Sequence, residues 1–352
     1  MGLLTLLLSW LFVTLASACM FPFNNPRLTN SSLVEEYIAD LQTKGGNGWT
    51  SPIGPSNPVI TTWPKNSASG KVTYIYYCFD SHASYSALKD VVDSANKMWR
   101  DKLGPGSTNG HHFDGFRHYY SKNTNSHPRC YKGFPDPWGW NPEIPEGTLV
   151  ISWNSLGYSQ STVGYDDESI DWDRHSLTLH TWIPRYEDWV LEVAHELGHV
   201  LGLRHEHQRF DRDRDLYFDC SKLQGYIEAR DTIAAHPEWG FTIKQACESR
   251  YLGTSKEELN FWQAAEYALY TVDESHSYGR LIDHNSIMMY SSWANAADLM
   301  HGLTNLPLVR WKNGPPSNGH APDHSNAETV QWPTGISDGD KEAIQKLYPW
   351  KD

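Results

Sequence analysis

The sequence predicts an α+β fold, and two observations carry that expectation. Short runs rich in β-branched and aromatic residues, at 71–79, 148–153 and 176–181, are separated from runs whose apolar residues recur at helical spacing. No segment repeats another. The 352 residues are enough for a substantial core in one large domain or two small ones. With 39 % hydrophobic and 20 % charged residues, the composition is that of neither a disordered nor a membrane-embedded chain. The formal net charge of −13, with no cluster of Lys and Arg, argues against nucleic acid as a partner.

The first segment is set apart from the fold. Residues 3–13 are almost wholly apolar, and Ala16, Ser17 and Ala18 supply the small residues of a signal-peptidase site. The run is short for a membrane span and no second one follows, although no Lys or Arg precedes it. A signal peptide at 1–18 is therefore expected, with an extracellular protein and no membrane span after its removal. Cysteine usage agrees. Of 5 Cys, Cys19 sits at the expected cleavage point, leaving Cys78, Cys130, Cys220 and Cys247, which read as two disulfides with three connectivities open. The expected pairs are Cys78–Cys130 and Cys220–Cys247, each bracketing one loop-rich segment. Asn30 opens an Asn-Ser-Ser sequon, which carries meaning in a eukaryotic host.

Residues 19–62 are rich in Pro, Gly, Asn and Ser and read as a pro-segment or N-terminal arm, with one short helical stretch at 33–41. The regular domain is expected over 63–352. It opens with the strand at 71–79. A helix follows, on which Leu88, Val91, Val92, Ala95, Met98 and Trp99 form one face. Residues 104–147 are irregular. The strand at 148–153 comes next, and 176–181 alternates like an exposed edge strand. A further helix is expected to start near Pro184, with Glu187 and Asp188 well placed for its dipole, and to stop at Gly202.

Residues 195–205 of that helix and its exit read His-Glu-Leu-Gly-His-Val-Leu-Gly-Leu-Arg-His. His195 and His199, four apart, stand on one helical face and can grip a single zinc. Gly202 turns the chain so that His205 can approach as the third ligand. Three nitrogens leave a position open, as a catalytic zinc requires and a structural zinc does not. Glu196, beside the first ligand, is placed to act on a metal-bound water as general base. A lone His-Glu-x-x-His arises by chance often enough to need support, and the glycine and third histidine in register supply it.

This extended pattern resembles the metzincin zinc peptidases, and the continuation Glu206-His207-Gln208-Arg209-Phe210-Asp211-Arg212-Asp213 is similar to the astacin family. The resemblance implies one zinc ion per chain and a small mixed sheet, with the active-site helix above a cleft and a mostly irregular and helical lower part. It also implies that Glu206 is structural and accepts a buried salt bridge from the mature N-terminus. Arg209, Asp211 and Arg212 read as a structural ion-pair network. Far downstream, Ser286-Ile287-Met288-Met289-Tyr290 resembles the family's methionine turn, with Met288 as the floor beneath the imidazoles. Tyr290 is then the tyrosine that sits on the metal at rest and swings to the tetrahedral intermediate. The family has His where this chain has Met289. Residues 335–340, with Ala343, Ile344, Leu347 and Tyr348, resemble the closing helix.

The chain also departs from the family. It is longer between Arg214 and Ser286 and between Ser292 and Gly335, and its arm lacks the Phe-x-Gly-Asp sequence through which astacin pro-segments reach the zinc. The resemblance implies a secreted, monomeric zinc metalloendopeptidase acting on proteins or peptides, with residues 176–181 as the platform for an extended substrate. Two other readings compete. A matrixin-like peptidase shares the three histidines, but Glu206 and Tyr290 speak against it. A secreted binding or adhesion protein on a degenerate peptidase scaffold would have no need of Glu196. No Gly-x-Ser-x-Gly elbow supports a serine nucleophile.

Overall fold

The computed structural model describes residues 62–350, apart from 68–69, 107–109, 134–135, 156, 167–168, 172, 182, 270–281, 301 and 318. The signal peptide, Cys19, the Asn30 sequon and nearly all of the N-terminal arm lie outside the described residues.

A five-stranded sheet forms the upper layer. β1 (Thr73–Phe79), β2 (Phe113–His118), β5 (Leu149–Trp153), β6 (Gln160–Ser161) and β7 (Ser176–Leu179) take the order β2-β1-β5-β7-β6. All neighbours are parallel except β6, which runs antiparallel to β7 with Gln160 opposite Thr178 and Ser161 opposite Leu177. Residues 176–179 are thus an inner strand, not the edge that their alternation predicts. Gln160–Ser161 covers them, and two residues are too few to show any period. A two-stranded ribbon of β3 (Tyr131–Gly133) and β4 (Asp136–Trp140) lies apart, and the disulfide Cys78–Cys130 ties its start to β1.

Two helices pack against the sheet. α1 (His82–Leu103) starts at Ser81, whose side chain accepts the Ser84 N–H, and ends at Gly104 with φ 73°. Its buried face, Leu88, Val91, Val92, Ala95 and Trp99, is the one its spacing predicts. α2 (Tyr186–Val200) begins two residues later than expected, because Arg185 is extended and Pro184 lies outside the helix. Glu187 and Asp188 occupy its first turn, where negative charge suits the dipole. The Trp99 indole donates to the Ala194 carbonyl at 2.9 Å and fastens the two helices together. Trp63 and Tyr348 donate to the carbonyls of Val200 and Leu201 at 2.7 and 2.9 Å, so the end of α2 is satisfied by side chains from both ends of the domain.

The segments between Arg214 and Ser286 and between Ser292 and Gly335 meet in a second lobe. β8 (Leu216–Phe218) from the first pairs with β9 (Leu308–Trp311) from the second, and β10 (Ala327–Thr329) completes a three-stranded antiparallel sheet. Short helices α3 (Tyr226–Ala235), α4 (Ile243–Glu248) and α5 (Trp262–Ala265) fill the lobe. Its core includes Leu216, Ala246, Leu252, Phe261, Tyr267 and, from the methionine turn, Met289 and Tyr290. The second disulfide, Cys220–Cys247, lies within it. The closing helix α6 (Asp338–Leu347) carries a capping box of Ser337 and Asp340. No helix among the described residues is long and apolar enough to cross a membrane.

Candidate metal centre

The local sequence at the end of α2 bends the chain toward the site. Gly202 adopts φ 100°, its N–H reaches the His199 carbonyl at 2.7 Å, and Leu203 N–H reaches that of Gly198 at 2.9 Å. This left-handed cap suits glycine and carries His205 back beside the helix.

His195, His199 and His205 converge, their candidate ligand atoms all lying within 4.8 Å of one another. His205 Nε2 is 3.2 Å from His195 Nε2 and 3.1 Å from His199 Nε2. The opposite ring nitrogens fix this orientation. His195 Nδ1 is 2.7 Å from the Ile287 carbonyl, His199 Nδ1 is 2.8 Å from the Leu203 carbonyl, and His205 Nδ1 is 2.8 Å from Gln208 Oε1. A carbonyl only accepts, so each Nδ1 carries the hydrogen and each Nε2 turns a lone pair inward. Gln208 is itself held, its amide donating to the carbonyls of Ala265 and Ala268 at 3.0 Å each.

Three lone pairs facing one another repel unless a cation lies between them. A tetrahedral zinc about 2.0–2.1 Å from each nitrogen would set them roughly 3.3–3.4 Å apart, close to the separations seen. Burial lowers the pKa of all three imidazoles, furthest for His199 and His205, where neighbouring imidazoles add to the effect, so the neutral form that binds metal is favoured. The donor set therefore fits the ion.

Met288, 1 % exposed, packs against the helix that carries His195 and His199. A Cβ added at Gly198 would come within 2.6 Å of its sulfur and 3.3 Å of Trp99 Cζ2, so the bare backbone at 198 admits the methionine. Asp340 clamps the turn, accepting from Ser286 Oγ at 2.6 Å and Ile287 N–H at 2.8 Å. The closing helix thereby holds the carbonyl that orients His195.

Glu196 is 1 % exposed, and its Oε2 accepts from Ser161 Oγ at 2.6 Å. Tyr290 stacks on His207 with ring centroids 4.2 Å apart and lies 4.5 Å from the His205 ring; its hydroxyl donates to Glu266 Oε2 at 2.7 Å. Glu206 accepts from Arg209 at 2.9 Å and from the Asp283 N–H at 3.0 Å, and burial raises its carboxyl pKa against the opposing pull of Arg209. The mature N-terminus expected at Glu206 falls outside the described residues. Arg209 also forms a two-point pair with Asp211, both contacts at 2.9 Å, while Arg212 pairs with Asp213 and donates to the Tyr267 carbonyl at 2.6 Å.

Sequence reasoning did not find Ser161, Gly198, Gln208 or Glu266. Gly198 and Gln208 lie within the motif stretch and were open to that reading; Ser161 and Glu266 are remote from it and carry no local signal.

A helix presenting two of three converging imidazoles, with a third returning from beyond its end, has the donor set that a zinc ion takes. The family profile described as Astacin, a peptidase family, matches residues 188–229, the stretch that holds all three histidines. The chain is astacin-like in this metal-binding segment. Among solved structures it is similar to high choriolytic enzyme 1, a hatching enzyme zinc-protease from Oryzias latipes (medaka fish), at 15 % identity and TM-score 0.44, covering 82 % of this chain and 94 % of that one. It is also similar to two structures of myroilysin. One has 16 % identity, TM-score 0.42 and coverage of 83 % and 97 %; the other has 17 %, 0.38, and 85 % and 89 %. Likeness at that level is remote, and the assignment rests on the matched segment and the triad. No curated protein sequence matches the chain.

Proposed function

We propose that the protein is a secreted zinc-dependent metalloendopeptidase, with His195, His199 and His205 as ligands to one zinc and Glu196 as general base. The observation that carries this reading is the convergence of three inward-facing Nε2 atoms beside a buried glutamate. Bound zinc would supply Lewis acidity toward a peptide carbonyl and lower the pKa of a water to about 7. Glu196 takes the proton of the attacking water and passes it to the leaving amine nitrogen, help typically worth about 10² to 10⁴ in rate. Tyr290, released from Glu266, donates to the developing oxyanion. An extended substrate adds along the sheet edge, which here is Gln160–Ser161, and a chain crossing the cleft implies internal cleavage. Two disulfides and the apolar leader support export. Residues 19–62 serve as a pro-segment or arm preceding the catalytic domain.

The test is digestion of casein by the purified mature protein, alone, with a zinc chelator, and as Glu196→Ala. Cleavage at internal bonds, abolished by either treatment, is expected. Proteolysis that survives both would remove the assignment, and release of terminal residues alone would remove its endopeptidase part.

A further inference from the structure

We propose that Ser161, on the edge strand, is a positioning residue for Glu196, and that Ser159 anchors the same strand one helical turn away. This inference rests on the peptidase reading given above.

Ser161 Oγ lies 2.6 Å from Glu196 Oε2 and 2.9 Å from the Glu196 backbone carbonyl, with Ser161 5 % and Glu196 1 % exposed. Both partners are acceptors, so the hydroxyl's single hydrogen is shared between them, with the shorter contact to the carboxylate. Ser159 Oγ meets Glu192 Oε1 at 2.5 Å, and the Nε2 of the buried His180 lies 3.0 Å from that same oxygen. The two contacts share one geometry. Ser159 stands one residue before β6 and Ser161 is its second residue; two residues apart along extended backbone share a face and lie about 6.6–6.8 Å apart. Residues 192 and 196 are four apart on a helix, on one face, with a rise of about 6 Å. Strand and helix repeats therefore match over this distance, and two hydroxyls meet two carboxylates as successive rungs.

The upper rung is structural, because Glu192 stands a full turn before the glutamate beside the metal site. The lower rung sets the rotation of the carboxylate that handles the proton. A buried glutamate has three side-chain torsions to fix, and a misplacement of about 1 Å in a reacting group can cost on the order of 10²-fold in rate. Because Ser161 also pairs across to Leu177 and lies on the edge where an extended peptide would add, occupation of that edge and alignment of the base share one residue.

Four variants of the mature protein test this: Ser161→Ala, Ser161→Thr, Ser159→Ala and Glu196→Ala. Their kcat and KM on a fluorogenic peptide are measured beside bound zinc per chain and urea unfolding. Ser161→Ala is expected to lower kcat roughly 10- to 100-fold, with KM within about twofold and zinc content unchanged. Ser161→Thr, which keeps the hydroxyl, restores most of the rate. Ser159→Ala raises KM several-fold, since it loosens the strand and leaves Glu196 in place. An unchanged kcat in Ser161→Ala, or a fall matched by zinc loss, overturns the proposal. So does a threonine variant as slow as the alanine one. Unfolding of Ser161→Ala, Glu196→Ala and the double variant reports the contact without any substrate: non-additive effects are expected, and strict additivity overturns it. If the wild-type protein does not cleave peptides, the enzymatic reading fails by itself, and the double-variant result still decides whether Ser161 holds Glu196.

Discussion

The Tyr290 hydroxyl donates to Glu266, a fully buried carboxylate from a segment that the astacin-like region does not include. The phenol comes from residues 286–290 and the carboxylate from the end of α5, and they meet beside His207. Replacing Tyr290 by Phe deletes one donor to that buried carboxylate, which costs about 0.5–1.5 kcal/mol. Thermal unfolding of Tyr290→Phe should show the loss. If the phenol also serves the oxyanion, kcat should fall about 10²- to 10³-fold in the same variant. A variant with wild-type stability and wild-type kcat would deny both roles.

Gln208 holds the third imidazole and is held in turn by Ala265 and Ala268. Partners of this kind are typically worth about 10- to 100-fold in metal affinity. Gln208→Ala should bind zinc more weakly by that factor while keeping all three ligands, as competition with a chromogenic chelator would measure. Equal affinity would mean that His205 orients without it.

Gly198 is fixed by a close approach rather than by its backbone angle. A methyl group at this position would press within 2.6 Å of the Met288 sulfur, which is buried and has α2 above it. Gly198→Ala should destabilise the protein by about 1–3 kcal/mol, the usual cost of overpacking, and should displace the ligands on either side. Urea unfolding together with zinc content checks this, and an alanine variant as stable as the parent would mean that the methionine yields easily.

The stability should depend on pH in a defined window. Burial is the main cause that lowers His112, His118 and His175 to about 4, against an unfolded value of about 6.5. Between those values the unfolded chain binds more protons than the folded one, so stability rises with pH. It is complete above about 6.5 and is lost progressively as pH falls toward 4. His175 is the cleanest case: it is fully buried, lies between Trp63 and Tyr165, and is 2.9 Å from the Gly147 carbonyl through Nδ1. Unfolding of the metal-free protein at pH 7, 6, 5 and 4 should show the decline, and His175→Gln should flatten it. An identical slope in that variant would assign the acid sensitivity elsewhere.

The disulfide Cys220–Cys247 closes 27 residues of the second lobe. Loop-closure entropy for that length corresponds to about 3.5 kcal/mol, so the double serine variant should unfold at much lower urea concentration. A shift below about 1 kcal/mol would mean that the lobe is ordered without it.

The metal triad could be read from the sequence because its parts are local. A spacing of four places His195 and His199 on one helical face, and the left-handed turn at Gly202 brings His205 back to them within a few residues. The helical face of α1 was equally legible, since apolar spacing acts over a few residues. The edge of the sheet was not. Its outermost strand is two residues long, and the alternation at 176–179 reports sidedness, not position in the sheet. Ser161 and Glu266 lie 35 and 24 residues from the side chains they serve, and no pattern along the chain encodes such meetings. The pairing of β8 with β9, some ninety residues apart in the chain, is hidden for the same reason.

His205 is the imidazole of the triad that α2 does not carry, and its bracing passes through Gln208 to backbone carbonyls of the second lobe. That lobe is therefore a mechanical support of the metal site as much as a wall beside it. Shear of one lobe against the other would bear first on His205, the one imidazole of the three that no helix carries.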